Sequence, residues 1–429
     1  MSVAQKDGIE RKFAAQISYE DLYKRWEQGN WSAYDIDFSK DRDGWESLTD
    51  IQREGAVWIY SMFFFGEDSV TDNLSPFIDA APKEEQKYFL ATQQVDEARH
   101  AVFFHRFFKE VIGAGGDIAS TLAFTESQLG WGYRNVFARL DSMADELRKD
   151  RSLPKFAQAI TLYHLVVEAT LAQPGQHYIE DYFAKAGTMP GFSDGMANVS
   201  RDEQRHIGFG VKVLSELLEE SDECKEAVRE LLLEIMPYSL AVFVPPDGLN
   251  REYTRAYGFE MEDIFAFGLK SVRTKWKAIG YPMEEMPGVL PVDQDLTEHE
   301  IAERQIRLLE ARVMGEPNDN PERSPEIQEI YFSVVANSAD TTAVNGTPLT
   351  IQWDFTDADP WHVVVANGST RAEHGRAAEP DVTLTASWAD WINISKGAIK
   401  PTRAMLSRRL KMKGRPRGML AFTKAFPRR

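Results

Sequence analysis

Two short stretches of this chain repeat the same order of acidic and basic residues. Residues 96–100 are Asp-Glu-Ala-Arg-His, and residues 202–206 are Asp-Glu-Gln-Arg-His. Each stretch contains Glu-x-x-His, and positions i and i+3 of a helix lie on the same face. A carboxylate and an imidazole therefore point the same way in each copy, which is an arrangement that can bind a transition metal.

A glutamate within an apolar run precedes each copy. Glu67 follows three phenylalanines and lies 30 residues before Glu97, and Glu168 follows Leu-Val-Val and lies 35 residues before Glu203. Such a spacing corresponds to one helix, a turn and part of the next helix. A carboxylate in an apolar run is costly to bury unless it is paired or bound to a cation. Two Glu-x-x-His helices with one glutamate from each of two further helices form the di-metal site of carboxylate-bridged four-helix bundles.

The predicted metal ligands are Glu67, Glu97, His100, Glu168, Glu203 and His206. A single Glu-x-x-His would more often mark a solvated helix face, but two copies with matching upstream glutamates favour a metal site. Glu54 and His105 are rival ligands. Glu54 lies 43 residues before Glu97, which is long for one return between helices, and His105 lies five residues from His100, off its face.

Composition narrows the class of protein. The chain has 429 residues, which is long enough for two or three domains. Of these residues 43% are hydrophobic and 27% charged, as is typical of globular proteins. The only cysteine, Cys224, excludes an intrachain disulfide and a thiolate metal site. Carboxylates and imidazoles favour iron or manganese. There is no long apolar run and no apolar N-terminal signal, so we expect a cytoplasmic protein.

The charge is spread unevenly. The net charge is −18, but residues 325–429 hold 14 Lys/Arg and 10 Asp/Glu. An acidic body is a poor nucleic-acid binder, so no nucleic-acid partner is expected. Residues 400–429 contain 11 basic and no acidic residues. This segment is interpreted either as a solvated basic face or as a surface for peripheral contact with an anionic membrane.

The chain divides into a helical part and a mixed part. Helices are predicted at 45–66, ending in a turn around Glu67, at 83–112 and at 193–218, and no strand is predicted before residue 320. The proline-rich stretch 316–325 is a linker by composition. Alternating apolar residues then predict strands at 349–355, 361–365 and 382–385, with a basic strand near 410–413. The fold class is therefore mainly α, with a four-helix-bundle core, extra helices and a small C-terminal α+β domain.

The first 285 residues resemble the ferritin-like superfamily, which includes ribonucleotide reductase small subunits. Within it they are most similar to small-subunit-like ligand-binding oxidases. That resemblance implies a manganese/iron or di-iron centre, dioxygen as oxidant and a long-chain fatty acid at the metals. A homodimer is also expected. The resemblance also implies an ether cross-link between Val70, three residues after Glu67, and Tyr163, five residues before Glu168. Ordinary core packing is the alternative role for Val70 and Tyr163.

The same resemblance assigns the residues behind the two imidazoles. The pseudo-symmetry of the superfamily suggests Asp202 as the acceptor for His100 and Asp96 as the acceptor for His206. Two departures set other relatives aside. Phe104 stands where radical-forming reductase subunits carry a tyrosine, and Val199 stands where di-iron N-oxygenases carry an additional histidine.

Residues 325–429 resemble the sterol-carrier-protein type of lipid-binding domain. The matching stretches are 381–387, 391–397 and 406–414, and Arg408 or Arg409 stands where that family has a glycine before the basic strand. The predicted domains are thus 1–285, a ferritin-like oxidase domain; 286–324, a helix and linker; and 325–429, a lipid-binding domain.

Together these features predict an oxygen-activating enzyme of the oxidase or monooxygenase class. Its substrate would be a fatty-acid-like or other apolar ligand at the metals, and its electron donor is unknown. The alternative is a lipid-binding or carrier protein with a structural or vestigial metal site. Iron storage is disfavoured because a cage surface is hard to reconcile with the appended domain.

Overall fold

A computed structural model describes residues 17–281, 296–344, 346–366 and 368–426. The chain divides into two compact units. The first is drawn from Met1–Ile235 and Val242–Met286, and the second from Met236–Ala241 and Pro287–Arg429.

The part of the chain up to residue 281 is helical wherever it has regular structure. Its α-helices are α1 Tyr19–Gly29, α2 Asp41–Glu46, α3 Asp50–Asn73, α4 Ser75–Ala80, α5 Glu84–Phe107, α6 Ile118–Glu126, α7 Trp131–Lys149, α8 Leu153–Ile160, α9 Gln173–Ala186, α10 Pro190–Glu220, α11 Asp222–Ser239, α12 Glu252–Arg255 and α13 Met261–Ala278. Two π-helical segments, Phe108–Ile112 and Thr161–Ala172, follow α5 and α8 directly, and Ala33–Asp35 forms a 3-10 turn.

Local sequence explains where the central helices begin and end. Thr49 caps α3, and Gln52 completes the capping box by accepting from the Thr49 backbone N–H. Pro154 lies in the first turn of α8, where its missing N–H costs nothing. The π-helical turn after α5 ends at Gly113, whose φ of 78° is a conformation that glycine adopts without strain. Helix α3 extends to Asn73, so the predicted turn around Glu67 is wrong.

Helix α10 packs closely against the π-helix Thr161–Ala172 at Gly210. A Cβ added to Gly210 of α10 would lie 2.2 Å from Cβ of His164, closer than atoms can pack. Glycine is therefore required at this crossing. The contact brings the helix of Glu203 and His206 next to the segment that carries Glu168.

The second unit contains a five-stranded sheet in the order β3-β2-β1-β4-β5. The strands are β1 Leu349–Phe355, β2 Trp361–Ala366, β3 Ser369–His374, β4 Val382–Ala386 and β5 Lys411–Gly414. β1 pairs parallel with β4, and the other neighbours are antiparallel. The helices of this unit are α14 Glu298–Glu310, α15 Pro325–Asn337, α16 Trp388–Ser395, α17 Pro401–Leu406 and α18 Pro416–Ala425, with a 3-10 turn at Thr341–Val344.

Large aromatic side chains fill the interior of this second unit. The ring of Phe332 stacks on Trp361 with centroids 5.1 Å apart, and it also contacts the rings of Trp353 and Trp388. Leu308 of α14 belongs to the same core. The unit therefore has a core of its own.

Two features of the second unit differ from the sequence-based expectations. The additional strand β3 was not predicted because its residues are exposed or half-buried and show no apolar alternation. The proline-rich stretch 316–325 was interpreted from its composition as a linker. Instead, the Asn318 N–H donates to Asn393, the Trp388 indole donates to the carbonyl of Glu322, and Lys396 donates to the carbonyl of Glu316.

The predicted fold class is confirmed: a mainly helical unit is accompanied by a small unit of strands and helices. Among the described residues, the structure contains no helix whose length and apolar character would let it cross a membrane.

Candidate metal centre

Four helical segments of the first unit carry the six predicted ligands. α3 carries Glu67, and the π-helix Thr161–Ala172 carries Glu168. α5 and α10 each carry one Glu-x-x-His, and all six side chains are buried. Burial of four carboxylates in one place is costly without compensating cations or protons.

The six side chains form two overlapping groups. The first group is Glu67, Glu97, His100 and Glu203, and the second is Glu97, Glu168, Glu203 and His206. Within each group the ligand atoms all lie within 4.8 Å of one another. Glu97 and Glu203 belong to both groups, so these two residues would be shared if each group held an ion.

Both imidazoles turn the same ring nitrogen toward the carboxylates. Nδ1 of His100 lies 3.2 Å from Oε2 of Glu67 and 3.4 Å from Oε2 of Glu97. Nδ1 of His206 lies 3.1 Å from Oε1 of Glu97 and 3.5 Å from Oε1 of Glu168. In each histidine Nε2 is left to face outward.

An aspartate from the opposite motif lies behind each imidazole. Nε2 of His100 lies 3.3 Å from Oδ2 of Asp202, and Nε2 of His206 lies 3.2 Å from Oδ2 of Asp96. Such a carboxylate accepts the Nε2–H, fixes the tautomer with a bare Nδ1, and makes that nitrogen a stronger ligand.

Two arginines, also from the motifs, join these aspartates. Arg205 donates to Oδ1 of Asp202 at 2.8 Å and to Oδ2 of Asp96 at 2.9 Å. Arg99 lies 3.2 Å from Asp96 and 3.6 Å from Asp202. Each arginine therefore contacts both aspartates, and the two halves of the centre share one buried ionic network.

Two tryptophans near the N-terminus complete this network. The indole of Trp26 donates to Oδ1 of Asp96 at 2.9 Å, and the indole of Trp31 donates to Oδ2 of Asp202 at 2.7 Å. Neither tryptophan was predicted to have a role. Their only signal was an aromatic-rich segment ahead of the bundle, and that signal does not reveal a partner 70 or 171 residues away.

The electrostatics of the cluster suit bound cations. Burial raises the pKa of Glu67 and of Glu168 well above the usual range of a carboxyl. Burial acts in the same direction on Glu97, but His206 and His100 outweigh it and hold the pKa of that carboxyl well below its usual range. The buried cluster thus offsets its negative charge with protons, in positions that metal ions can take over.

Three buried polar atoms of the cluster are without a hydrogen-bond partner among the described residues. They are Oε2 of Glu168, Oε2 of Glu203 and Nδ1 of His206, which lies near Glu97 without hydrogen-bond geometry. Buried polar atoms rarely stay unsatisfied because each costs free energy. The donor set and these atoms fit a pair of cations with oxygen and nitrogen ligands.

Tyr163 contacts this cluster directly. Its hydroxyl donates to Oε1 of Glu97 at 2.5 Å and accepts from Nε2 of Gln93 at 2.9 Å. The same amide nitrogen donates to Oε1 of Glu168, while Oε1 of Gln93 lies 3.1 Å from Nε2 of His164. Burial lowers the pKa of His164 to about 3, so this imidazole is neutral and donates from Nε2. Gln93 and His164 therefore contact the cluster through this chain of hydrogen bonds, and neither was predicted from the sequence to do so.

The π-helix explains why Tyr163 and Glu168 both reach the cluster. Residues five apart diverge on an α-helix, but the i→i+5 hydrogen bonds of a π-helix bring them to neighbouring positions. The segment Thr161–Ala172 contains both residues. It gives way to α9 just before Pro174, which lies in the first turn of α9.

An apolar cavity opens onto the carboxylates. Val70 and Tyr163 both line it, together with Glu67, Glu97, Glu168 and Glu203. Its remaining wall is largely apolar: Ile59, Met62, Phe63, Gly66, Tyr133, Phe137, Val167, Leu171, Ala172, Val242 and Phe243. An apolar chain with one polar end is the kind of molecule that such a cavity accommodates.

The two rival ligands lie away from the cluster. Glu54 is exposed and precedes Glu67 by 13 residues on α3, which separates them by about 20 Å. Nδ1 of His105 lies 3.1 Å from the hydroxyl of Thr121. Phe104 and Val199 are both buried in apolar surroundings.

The fold and these side chains define a ferritin-like bundle with a carboxylate–histidine centre. Residues 15–240 match the family model "Ribonucleotide reductase, small chain", and residues 334–427 match "SCP-2 sterol transfer family". Because the first match spans more than half of the chain, this protein belongs to the ribonucleotide reductase small-chain family. Its C-terminal part is a domain of the sterol-transfer type.

Solved structures of R2-like ligand-binding oxidases share this fold. The enzyme from Sulfolobus acidocaldarius is 23% identical, with 66% of this chain and 94% of that chain covered and a TM-score of 0.52. A variant with an anaerobically reconstituted Mn/Fe cofactor is 26% identical, with 61% of this chain and 93% of that chain covered and a TM-score of 0.53. Both resemblances predicted from the sequence are confirmed.

Proposed function

We propose that this protein is an oxygen-activating oxidoreductase with a dinuclear metal centre. The observation that carries the proposal is the pair of overlapping four-residue groups that share Glu97 and Glu203. The proposed ligands are Glu67, Glu97, His100, Glu168, Glu203 and His206. The domain division at 1–285, 286–324 and 325–429 is proposed with it.

The proposed metals are manganese with iron, or two irons. The donor set contains only carboxylate oxygen and imidazole nitrogen, which suits these ions. Similar R2-like ligand-binding oxidases have been reconstituted with Mn/Fe, which supports the same choice here. Bound in the reduced state, such a pair supplies the electrons that reduce dioxygen, which no side chain can do.

The protein's own residues would bind and orient an apolar substrate. The cavity beside the carboxylates would accept a long-chain fatty-acid-like molecule, and its apolar walls would exclude water. The hydrogen bond from Tyr163 to Glu97 would hold the phenol at the inner end of that cavity. Gln93 would keep this hydroxyl oriented, because it donates to Tyr163 and to Glu168 together.

We also propose an ether bond between the Tyr163 oxygen and the Val70 Cβ. The bond would form with loss of the phenolic O–H hydrogen and the valine C–H hydrogen. Two electrons and two protons would leave, and dioxygen would accept them. Both side chains are buried and line one cavity, which supports the pairing.

Metal analysis of matched variants tests the centre. Glu97→Ala should lose most of both metals because its carboxylate belongs to both groups. Glu85→Ala removes an exposed carboxylate from the same helix and should retain them. Retention of both metals by Glu97→Ala would overturn the assignment.

Intact mass measured after aerobic metal loading tests the cross-link. The mass should fall by about two hydrogens relative to anaerobic protein, as expected for a two-electron oxidation by the cofactor. Peptide mapping should join the segments that hold Val70 and Tyr163, and Tyr163→Phe should abolish the joint. Separate peptides after verified loading and exposure to oxygen would remove the cross-link but leave the metal centre.

A second candidate function is lipid carriage with a structural metal site. The match of residues 334–427 to the sterol-transfer family supports it. Oxygen consumption by the reduced, metal-loaded protein distinguishes the two functions. Repeated turnover with an added fatty acid supports the oxidase, whereas lipid binding without oxygen consumption supports the carrier.

A further inference from the structure

The two edges of the C-terminal sheet differ in charge. At one edge, Arg371 of β3 pairs with Glu373 at 2.7 Å. At the other edge, Lys411 and Lys413 of β5 are exposed, while Met412 between them packs on the core. Because side chains alternate along a strand, both lysines project from the opposite face of β5.

Among the described residues, most cations around β5 are without acidic partners. Residues 400–426 contain no aspartate or glutamate, and only Arg409 in this stretch reaches one, Asp390. Within the described part of the chain, eight cations here form no ion pair: Lys400, Arg403, Arg408, Lys411, Lys413, Arg415, Arg417 and Lys424. Clustered, unpaired charges of one sign create a local positive potential, although the whole chain is acidic.

Exposed apolar side chains lie among these cations. Leu406, the last residue of α17, is 87% exposed, the largest fraction of any large apolar side chain in the described residues. Leu420 on α18 is 61% exposed. Arg417 and Lys424 lie three before and four after Leu420, so all three share one helix face. Single exposed leucines are common, but leucines placed between unpaired cations suit the boundary of a bilayer.

The turn that presents Leu406 is held in an unusual conformation. Arg408 has a φ of 62°, a region that favours glycine. Backbone N–H groups of Arg409 and Leu410 donate to the carbonyl of Ala404, which fixes the turn between α17 and β5. An arginine at this strained position adds a cation next to the exposed leucine.

We propose that this surface docks on an anionic lipid bilayer. It is called the basic edge here and comprises the eight unpaired cations with Leu406 and Leu420. The cations would lie near headgroup phosphates, and the two leucines would enter the interfacial layer. Nucleic acid fits less well because bases stack on exposed aromatic rings, and Phe422 and Phe426 are partly buried against the core. The proposal is independent of the metal centre.

Co-sedimentation of the full chain with vesicles tests this surface. The protein should bind phosphatidylcholine vesicles that contain phosphatidylserine, bind pure phosphatidylcholine much less, and detach as salt increases. The double variant Arg403→Glu/Arg408→Glu should bind anionic vesicles at least about tenfold more weakly. Arg371→Glu makes the same type of charge change at the other sheet edge and should bind like the wild type.

The leucines have a separate test. Leu406→Ser/Leu420→Ser should weaken binding about tenfold, because apolar area no longer leaves water. Leu153→Ser, at an exposed position of α8, should have no effect.

Equal binding to neutral vesicles, an equal loss in Arg371→Glu, or unchanged binding by the leucine variant would each overturn the proposal. Displacement by single-stranded RNA with no dependence on the leucines would assign the surface to nucleic acid instead. Metal content should be the same in all these variants, so failure here leaves the oxidase proposal standing.

Discussion

Replacing Asp202 by asparagine should weaken one half of the metal centre more than the other. Oδ2 of Asp202 lies 3.3 Å from Nε2 of His100, and the carboxylate also accepts from Trp31 and Arg205. Burial opposes ionisation of Asp202, but His100 and Arg205 hold the pKa of this carboxyl far below its usual range, so it is charged at neutral pH. Asparagine keeps the shape and removes that charge.

The magnitude follows from the role of the carboxylate. Loss of a carboxylate that accepts a hydrogen bond from a metal-binding histidine costs about 10- to 100-fold in metal affinity, or about 1.4–2.8 kcal/mol. His100 belongs only to the group that contains Glu67, so the loss should fall there. The other group keeps Asp96 behind His206. Asp96→Asn should therefore produce the mirror-image result.

Anaerobic titration of metal-free protein against a chelator measures the two binding steps. Asp202→Asn and Asp96→Asn should each weaken one step by the stated factor and leave the other within about threefold, which is small beside the loss expected for the lost partner. Asp222→Asn, at an exposed carboxylate, is the control. Unchanged affinities in both variants would refute the role given to the two aspartates. Equal weakening of both steps by each variant would refute the division into halves.

Two further predictions concern stability. Gly210→Ala should destabilise the protein by about 1–3 kcal/mol, because its Cβ would lie 2.2 Å from Cβ of His164. Gly208→Ala on the same helix meets only one atom at 3.9 Å and should be neutral or stabilising, so equal midpoints in denaturant would contradict the close approach. Burial lowers the pKa of Lys396 to about 8 from 10.5, so the unfolded chain keeps this proton longer, and stability should rise between about pH 8 and 10.5. Each unit of the shift corresponds to about 1.4 kcal/mol. Lys396→Met should lose this increase, and parallel pH profiles would disprove the shift.

Helical periodicity and the repeated motif were sufficient to predict the bundle and which residues meet. Glu-x-x-His defines a helix face without knowledge of the fold, and the upstream glutamates follow from the length of one helical return. The position of Tyr163 was harder to predict. A five-residue spacing from Glu168 suits a π-helix, and π-helices have no reliable sequence signal.

Partners that lie far apart in sequence were also beyond prediction. The indoles of Trp26 and Trp31 reach Asp96 and Asp202 only after the N-terminal helix has packed on the bundle. Strand β3 was missed for another reason. It is an edge strand with polar side chains, so its pairing with β2 leaves no apolar pattern in the sequence.

Anomalous diffraction from metal-loaded crystals, recorded at the manganese and iron edges, tests the central claim most directly. Two peaks should appear, one beside Glu67 and His100 and the other beside Glu168 and His206. Glu97 and Glu203 should lie between the peaks and contact both. A single peak, or two peaks that do not share these glutamates, would contradict the dinuclear centre proposed here.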